Sequence, residues 1–264
     1  MSLRVVTVDA FTDRPFAGNP AAVCVLPEPR PGQWMRDVAR EMNLSETAFV
    51  VPREDAFQLR WFTPAVEVDL CGHATVASAH VLWEDGQLPP GSQARFDTRS
   101  GRLLADRRGE WIELDFPAKI AAACEPPPHL LASLGLAHAA WAGRNVFDYL
   151  VEVDSEEILR SLKPNFSELR KAPVRGVIVT APSSAAGFDF VSRFFAPGAG
   201  VDEDPVTGSA HCALGPYWAA KLGRREFTAF QASARGGVVR VRLQGDRVIL
   251  GGQAVTIMRA ELLW

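Results

Sequence analysis

The sequence predicts an α+β protein built from two similar halves, each a curled, mostly antiparallel sheet around one central helix. Three observations carry that prediction. Short runs rich in β-branched and aromatic residues recur along the whole chain, bounded by turn residues. Two helical segments, 73–84 and 208–221, are apolar nearly all round, as expected of helices buried on every side. The chain also repeats itself. Arg60, Phe62 and Pro64 recur at Arg193, Phe195 and Pro197, an offset of 133 positions. Cys71-Gly72-His73-Ala74 then matches Thr207-Gly208-Ser209-Ala210 at an offset of 136. The second offset persists, with Arg99, Gly101 and Gly109 falling on Arg235, Gly237 and Gly245.

The elements follow in order. "LRVVTVDAF", "AAVCVL", "ETAFVV" and "FQLRWF" are the strands of the first half. A helix over 31–42 is marked by one apolar stripe of Trp34, Met35, Val38, Ala39 and Met42. The long helix 73–84 leads into hairpins that turn at Ser100-Gly101 and Arg108-Gly109. "AKIAAACEPPPH" (118–129) reads as an extended linker because of its three successive prolines. It divides the chain into lobes 1–117 and 118–264, with the terminal strand free to cross over. In the second half, "DYLVEV", "GVIVTA" and "FDFVSRFF" are strands and 155–163 a short helix. The long helix 208–221 is followed by hairpins turning at Gly236-Gly237 and Gly245-Asp246.

Composition narrows the function. The chain of 264 residues can bury a sizeable core, and its net charge of −3 offers nothing to nucleic acid or an anionic membrane. No run of 18 apolar residues predicts a transmembrane helix, and the N-terminus lacks the pattern of a secretory signal. Cys24, Cys71, Cys124 and Cys212 are far apart, which points to free thiols and a cytoplasmic location.

Two helix starts stand out. The first turn of a helix exposes unpaired backbone N–H groups at the positive end of its dipole. Glycine there lets a ligand come close to the backbone, so Cys71-Gly72-His73 and Thr207-Gly208-Ser209 are both candidate anion sites. Across a pseudo-two-fold they would face one small ligand, most simply a carboxylate, in the cleft between lobes. Neither motif contains Arg or Lys, so backbone donors would carry the charge.

A candidate acid/base lies in "EMNLSETAFVV" (41–51). A helix ends near Asn43, which tolerates the left-handed conformation, and a strand begins near Thr47. At the junction, Glu46 shares a face with Leu44, Ala48 and Val50 by period two. Burial there would raise its pKa toward the range of a general acid/base. It has no acidic counterpart in the second half, which favours a one-base proton shuttle over two-base epimerisation. His73 is placed to donate to an oxyanion or relay a proton, whereas His80 and His211 read as core. Metal binding by Cys71, His73 and His80 is set aside because it needs a fourth ligand and a rigid cluster. No dinucleotide fingerprint, P-loop or nucleophile elbow occurs.

The motifs "VDAFTDRPFAGNPAAV" (8–23), "MNLSETAFV" (42–50), "FTPAVEVDLCGHAT" (62–75) and "GVDEDPVTGSAHC" (200–212) resemble the PhzF-like phenazine-biosynthesis family of the diaminopimelate epimerase superfamily. The resemblance implies two lobes with the site in their cleft, no metal, no organic cofactor, and isomerase activity by proton transfer in a homodimer. It assigns the acid/base role to Glu46 and substrate contacts to His73, Asp204 and Ser209. Asn19, Ser45, Cys71, Gly72, Thr207 and Gly208 complete the expected substrate-lining set. Diaminopimelate epimerase-type enzymes use two facing thiols. Here Cys71 holds the first position and Thr207 the second, and an alcohol is too weak an acid to serve as that base.

The sequence reading is therefore a cofactor-independent isomerase of a small carboxylate-bearing metabolite. Two rivals stand beside it: a one-thiol epimerase or racemase of an amino-acid-like substrate using Cys71, and a non-catalytic metabolite-binding protein.

Overall fold

The structure, a computed structural model, describes residues 2–263. The outermost positions of the expected lobes, 1 and 264, lie outside the described residues. The chain divides into two compact units. One holds the residues up to Asp115 together with those from Gly251 onward, and the other is Phe116–Leu250.

In the first unit β1 (Ser2–Ala10) runs antiparallel to β2 (Asn19–Val25). Helix α1 (Gly32–Met42) crosses over to β3 (Glu46–Pro52), which pairs with β2 in parallel. The antiparallel neighbour of β3 is β4 (Phe57–Phe62), and the two-residue β5 (Glu67–Val68) caps its end. Helix α2 (Gly72–Glu84) is a second crossover, to β6 (Ala94–Thr98), which lies parallel to β4. Hairpins then add β7 (Gly101–Arg108) and β8 (Trp111–Pro117). The last strand of the chain, Ala254–Leu263, returns to pair antiparallel with β1, with a bulge between Thr7 and Val8.

Helix α2 packs on β1, β2, β3, β7 and that last strand, and ten of its residues, from His73 to Trp83, are buried. Its apolar circumference is why it occupies the core: side chains such as Val76, Val81 and Leu82, fully buried, each favour burial by about 1.5–3 kcal/mol. By contrast α1 is one-sided. Met35, Val38 and Ala39 pack on Cys24, Phe49 and Phe62, and Asn43 ends the helix in the left-handed conformation at φ 49°.

The second unit repeats the scheme. Its strands are β9 (Ala122–Ala123), β10 (Trp141–Arg144), β11 (Asp148–Glu152), β12 (Gly176–Pro182), β13 (Phe190–Ala196), β14 (Val201–Asp204), β15 (Glu226–Gln231), β16 (Gly237–Gln244) and β17 (Arg247–Gly252). Its helices are α3 (Pro128–Leu134), α4 (Glu156–Ser161), α5 (Phe166–Leu169) and α6 (Gly208–Leu222). The β10–β11 pair is antiparallel, β11–β12 parallel, β12–β13 antiparallel, β13–β15 parallel and β15–β16 antiparallel. That is the order of pairings in the first unit.

The repeat extends to side chains. Arg60 makes a bidentate pair with Glu67 at 2.7 and 2.8 Å and lies over the Phe62 ring. Arg193 does the same with Glu203, both bonds 2.8 Å, over Phe195.

Two expectations change in detail. The segment expected as a plain linker contains β9 and the start of α3, because a proline at the first helical turn needs no donor and arrives with its φ preset. The helix expected over 155–163 stops at Ser161, since Pro164 disfavours helical conformation in the residue before it.

Candidate active site

The first-unit candidates gather where β2 and β3 begin and α2 begins. The parallel pairing sets Ala21 opposite Glu46, so Asn19 and Glu46 start neighbouring strands at one edge. His73 is the second residue of α2, and Cys71 is its N-cap. The Nε2 of His73 lies 3.2 Å from Glu46 Oε2, and its Nδ1 lies 3.2 Å from Asn19 Nδ2. Cys71 Sγ is 3.6 Å from Nδ1 and 4.0 Å from Nε2 of the same ring. Asn19, Cys71 and His73 are buried, while the Glu46 side chain keeps 17% of its surface. Ser45 and Gly72 are half-buried beside them in sequence.

The electrostatics of this group are one-sided. Burial opposes a charge on His73, but its interactions with Cys71 and Glu46 outweigh it and raise the imidazole well above its ordinary value. Burial pushes the Cys71 thiol up and the Glu46 charge adds to this, while His73 works against both. With the Asn19 amide nitrogen facing Nδ1, the ring proton sits on Nε2 and points at Glu46. Turned end for end, the same amide offers its oxygen to an Nδ1–H, which suits an imidazolium.

Backbone geometry supports the edge. Phe11 and Phe16 adopt positive φ (63° and 66°), and buried Asp9 accepts the Phe16 N–H at 2.8 Å. Gly18, at φ +65°, has no room for a side chain: a Cβ there would sit 2.1 Å from the Ala10 carbonyl oxygen.

The second-unit candidates also cluster. Thr207 caps the start of α6 without a side-chain bond to the helix, just as Cys71 caps α2. Its hydroxyl instead donates to Asp204 Oδ2 at 2.5 Å. Gln231 fixes the turn: its Oε1 accepts the Thr207 N–H at 2.9 Å, and its Nε2 donates to the Asp204 carbonyl at 2.7 Å. Gly208 is buried and Ser209 half-buried on the first turn. The first N–H groups of α6 have no acceptor within the helix, so this start can take an anion.

The repeat holds here too. Thr75 Oγ1 donates to the carbonyl of Cys71 at 2.6 Å, and His211 Nδ1, at the equivalent position, lies 2.8 Å from the carbonyl of Thr207. Sequence reasoning missed Gln231, although period two on β15 puts it on the face of buried Phe227 and Ala229. It also missed Glu67 and Glu203. His80 stands apart from the cluster, its Nε2 being 3.0 Å from Thr256 Oγ1.

The family description "Phenazine biosynthesis-like protein" matches residues 8–260. The chain belongs to the phenazine biosynthesis-like family. An "Uncharacterized isomerase" of Halalkalibacterium halodurans is 56% identical, the alignment covering 100% of this chain and 99% of that one. A crystal structure of a PhzF family protein from Enterococcus faecalis superposes with a TM-score of 0.94 at 39% identity, covering 100% of both chains. A probable proline racemase from Agrobacterium radiobacter shares the fold at 13% identity and a TM-score of 0.66, over 99% and 93% of the two chains. The α+β fold is thus that of the phenazine biosynthesis-like and epimerase-type proteins, and the chain is an isomerase of this family. No helix among its described residues is long and apolar enough to cross a membrane.

Proposed function

We propose that the protein isomerises a small carboxylate-bearing metabolite by moving a proton between two of its carbons, with Glu46 as the acid/base and no group beyond its own side chains. The observation that carries this reading is the Glu46–His73 contact, 3.2 Å between Oε2 and Nε2. The carboxylate and the imidazole lie within hydrogen-bond reach, so a proton taken up by one has the other beside it. Glu46 takes the proton from a C–H next to the substrate carboxylate, and the electron pair moves onto the carboxylate as an enolate. The protonated Glu46 then returns the proton to a second carbon, one conjugated with the enolate through a C=C bond of the substrate, and that double bond shifts toward the first carbon. His73, buried and held by Asn19, donates toward the negative charge as it develops.

The Thr207-Gly208-Ser209 turn of the second unit is a carboxylate site by its own chemistry, its amides and the Ser209 hydroxyl being suited to that anion. Asp204, half-buried beside them, suits a hydroxyl or amino group near that carboxylate. The homodimer and the cytoplasmic location are part of the same reading.

The test is a screen of small hydroxy and amino acids in deuterated water. An accepted acid exchanges a C–H in the presence of the native protein, and Glu46→Gln slows that exchange by about 10²–10⁴-fold. Full exchange by Glu46→Gln refutes the assignment. One observation favours a thiol instead, the buried Cys71 Sγ at 3.6 Å from His73. In that case Cys71→Ser abolishes exchange and Glu46→Gln does not. The upward push on the Cys71 thiol argues against it, since a thiol that keeps its proton is a poor base.

A further inference from the structure

We propose that Glu46, Cys71 and His73 form a binding site for a divalent cation of borderline softness, with Zn²⁺ as the type ion, and that its occupation blocks the proton-carrying carboxylate. The binding stands on geometry alone, and only the block rests on the function proposed above.

One carboxylate oxygen, one thiol sulfur and one imidazole nitrogen lie within 4.8 Å of one another. Zinc bonds of about 2.0–2.2 Å to N and O and about 2.3 Å to S imply tetrahedral edges of about 3.4 Å (N to O) and about 3.6 Å (N to S). The corresponding separations are 3.2 Å for His73 Nε2 to Glu46 Oε2 and 4.0 Å for His73 Nε2 to Cys71 Sγ. Those two edges are within a few tenths of an ångström of the ideal, and the third, from the Glu46 oxygen to Sγ, is within 4.8 Å. Asn19 lies against the other ring nitrogen, where its amide oxygen can receive an Nδ1–H and orient the ring as zinc-bound histidines require. Thr75 bonds the Cys71 carbonyl and fixes the residue that carries the sulfur.

The ligand set decides the ion. Mg²⁺ and Ca²⁺ seek oxygen throughout, whereas a mixed S, N and O set suits Zn²⁺ or Co²⁺. Three protein ligands leave a fourth position for water, as in catalytic zinc sites. From the imidazolium form, binding replaces the S–H bond of Cys71 by a metal–sulfur bond and the Nε2 proton of His73 by the metal, while Nδ1 keeps its proton. Both displaced protons pass to solvent, and nothing is oxidised or reduced. With Oε2 on the metal, the cation's charge opposes protonation at either oxygen, and Glu46 is a much weaker base.

The experiment is a Co²⁺ titration of the full chain in a Cys124→Ser background, which removes the one exposed thiol among the described residues. The expected result is a thiolate-to-cobalt charge-transfer band that saturates at one ion per chain and is bleached by Zn²⁺. Cys71→Ser removes the band. Glu46→Gln and His73→Gln each weaken binding by more than about tenfold, the scale of loss seen even for outer ligand partners. His80→Gln leaves it unchanged. Circular dichroism confirms that each variant is folded, and Cys71→Ala serves if Cys71→Ser is not. A band that survives loss of the Cys71 sulfur, or no saturable band at all, overturns the site. Substrate C–H exchange that persists at saturating Zn²⁺ overturns the block. Because Co²⁺ binding is read without substrate, failure of the metal site leaves the Glu46 proton transfer standing, and the converse also holds.

Discussion

His211→Thr separates two jobs of one buried side chain. The ring is fully buried, and its Nδ1 lies 2.8 Å from the Thr207 carbonyl at the start of α6. Its face stacks on Phe190, and its Nε2 has no hydrogen-bond partner among the described residues. Burial lowers its pKa from 6.5 to about 4. The native protein therefore keeps His211 neutral where the unfolded chain binds a proton. Its contribution is fully present above pH 6.5 and is lost as the pH falls toward 4. Integrated from pH 7.5 to 4.5, the shift is worth about 2.5 kcal/mol of lost stability. Threonine is the natural replacement because Thr75 already makes the equivalent bond to Cys71 in the first unit. It does not titrate. At pH 7.5 the variant loses ring packing and is less stable by about 1–3 kcal/mol. By pH 4.5 that gap closes or reverses. Urea unfolding followed by tryptophan fluorescence at stepped pH measures both curves. Parallel curves for the two proteins from pH 7.5 to 4.5 would refute the reasoning, because they would mean that His211 takes up no extra proton on unfolding.

Glu156→Gln tests a charge held below its usual range. Burial opposes the carboxylate, but the backbone and hydroxyl of Ser184 and the Arg160 guanidinium outweigh it and hold the pKa at about 2. Its stability is present above about pH 4.5 and lost as the pH falls through 2, so the variant is less stable at pH 7 by about 2–3 kcal/mol and flatter in acid, as urea midpoints will show. Gly18→Ala forces a Cβ against the Ala10 carbonyl at positive φ and lowers stability by about 2–4 kcal/mol, with a matching fall in melting temperature. Gln231→Leu leaves the Thr207 N–H and the Asp204 carbonyl without their partner and costs about 2–3 kcal/mol, with weakened substrate binding in the exchange assay. Light scattering is expected to give a homodimer mass of about twice 28.8 kDa, and a monomer at micromolar concentration counts against the dimer.

What the sequence discloses depends on how far apart the causes lie. Helix α2 is legible because its own composition decides its place: with ten residues buried, no polar face exists to reach water. Asn43 is legible for a similarly local reason, since few residues accept φ 49°. Phe11 and Phe16 are not, because aromatic residues have no intrinsic preference for positive φ. The surrounding strands impose it, with Asp9 holding the Phe16 N–H. The Arg60–Glu67 and Arg193–Glu203 pairs were half visible. The arginines follow the first offset of 133 and the glutamates the second of 136, so both members repeat, but no pattern in the sequence says that each arginine meets its glutamate across the inserted residues. The candidate site shows the same division. Each motif announces its residue types, yet nothing in either motif states that Glu46 meets His73 twenty-seven positions later. That meeting follows from topology. Two parallel strands joined by a helix must begin at the same edge, so the first residues of β2 and β3, Asn19 and Glu46, are neighbours once the pairing of Ala21 with Glu46 is set. A buried helix that starts at that edge then needs only its second residue to be histidine. The duplicated half builds the same edge with Thr207 and His211 but has no carboxylate at the head of its equivalent strand, β12, which opens on Gly176 and Val177. One half has a carboxylate at that edge and the other has none, so the repeat is strict in its strands and helices and loose at these side chains.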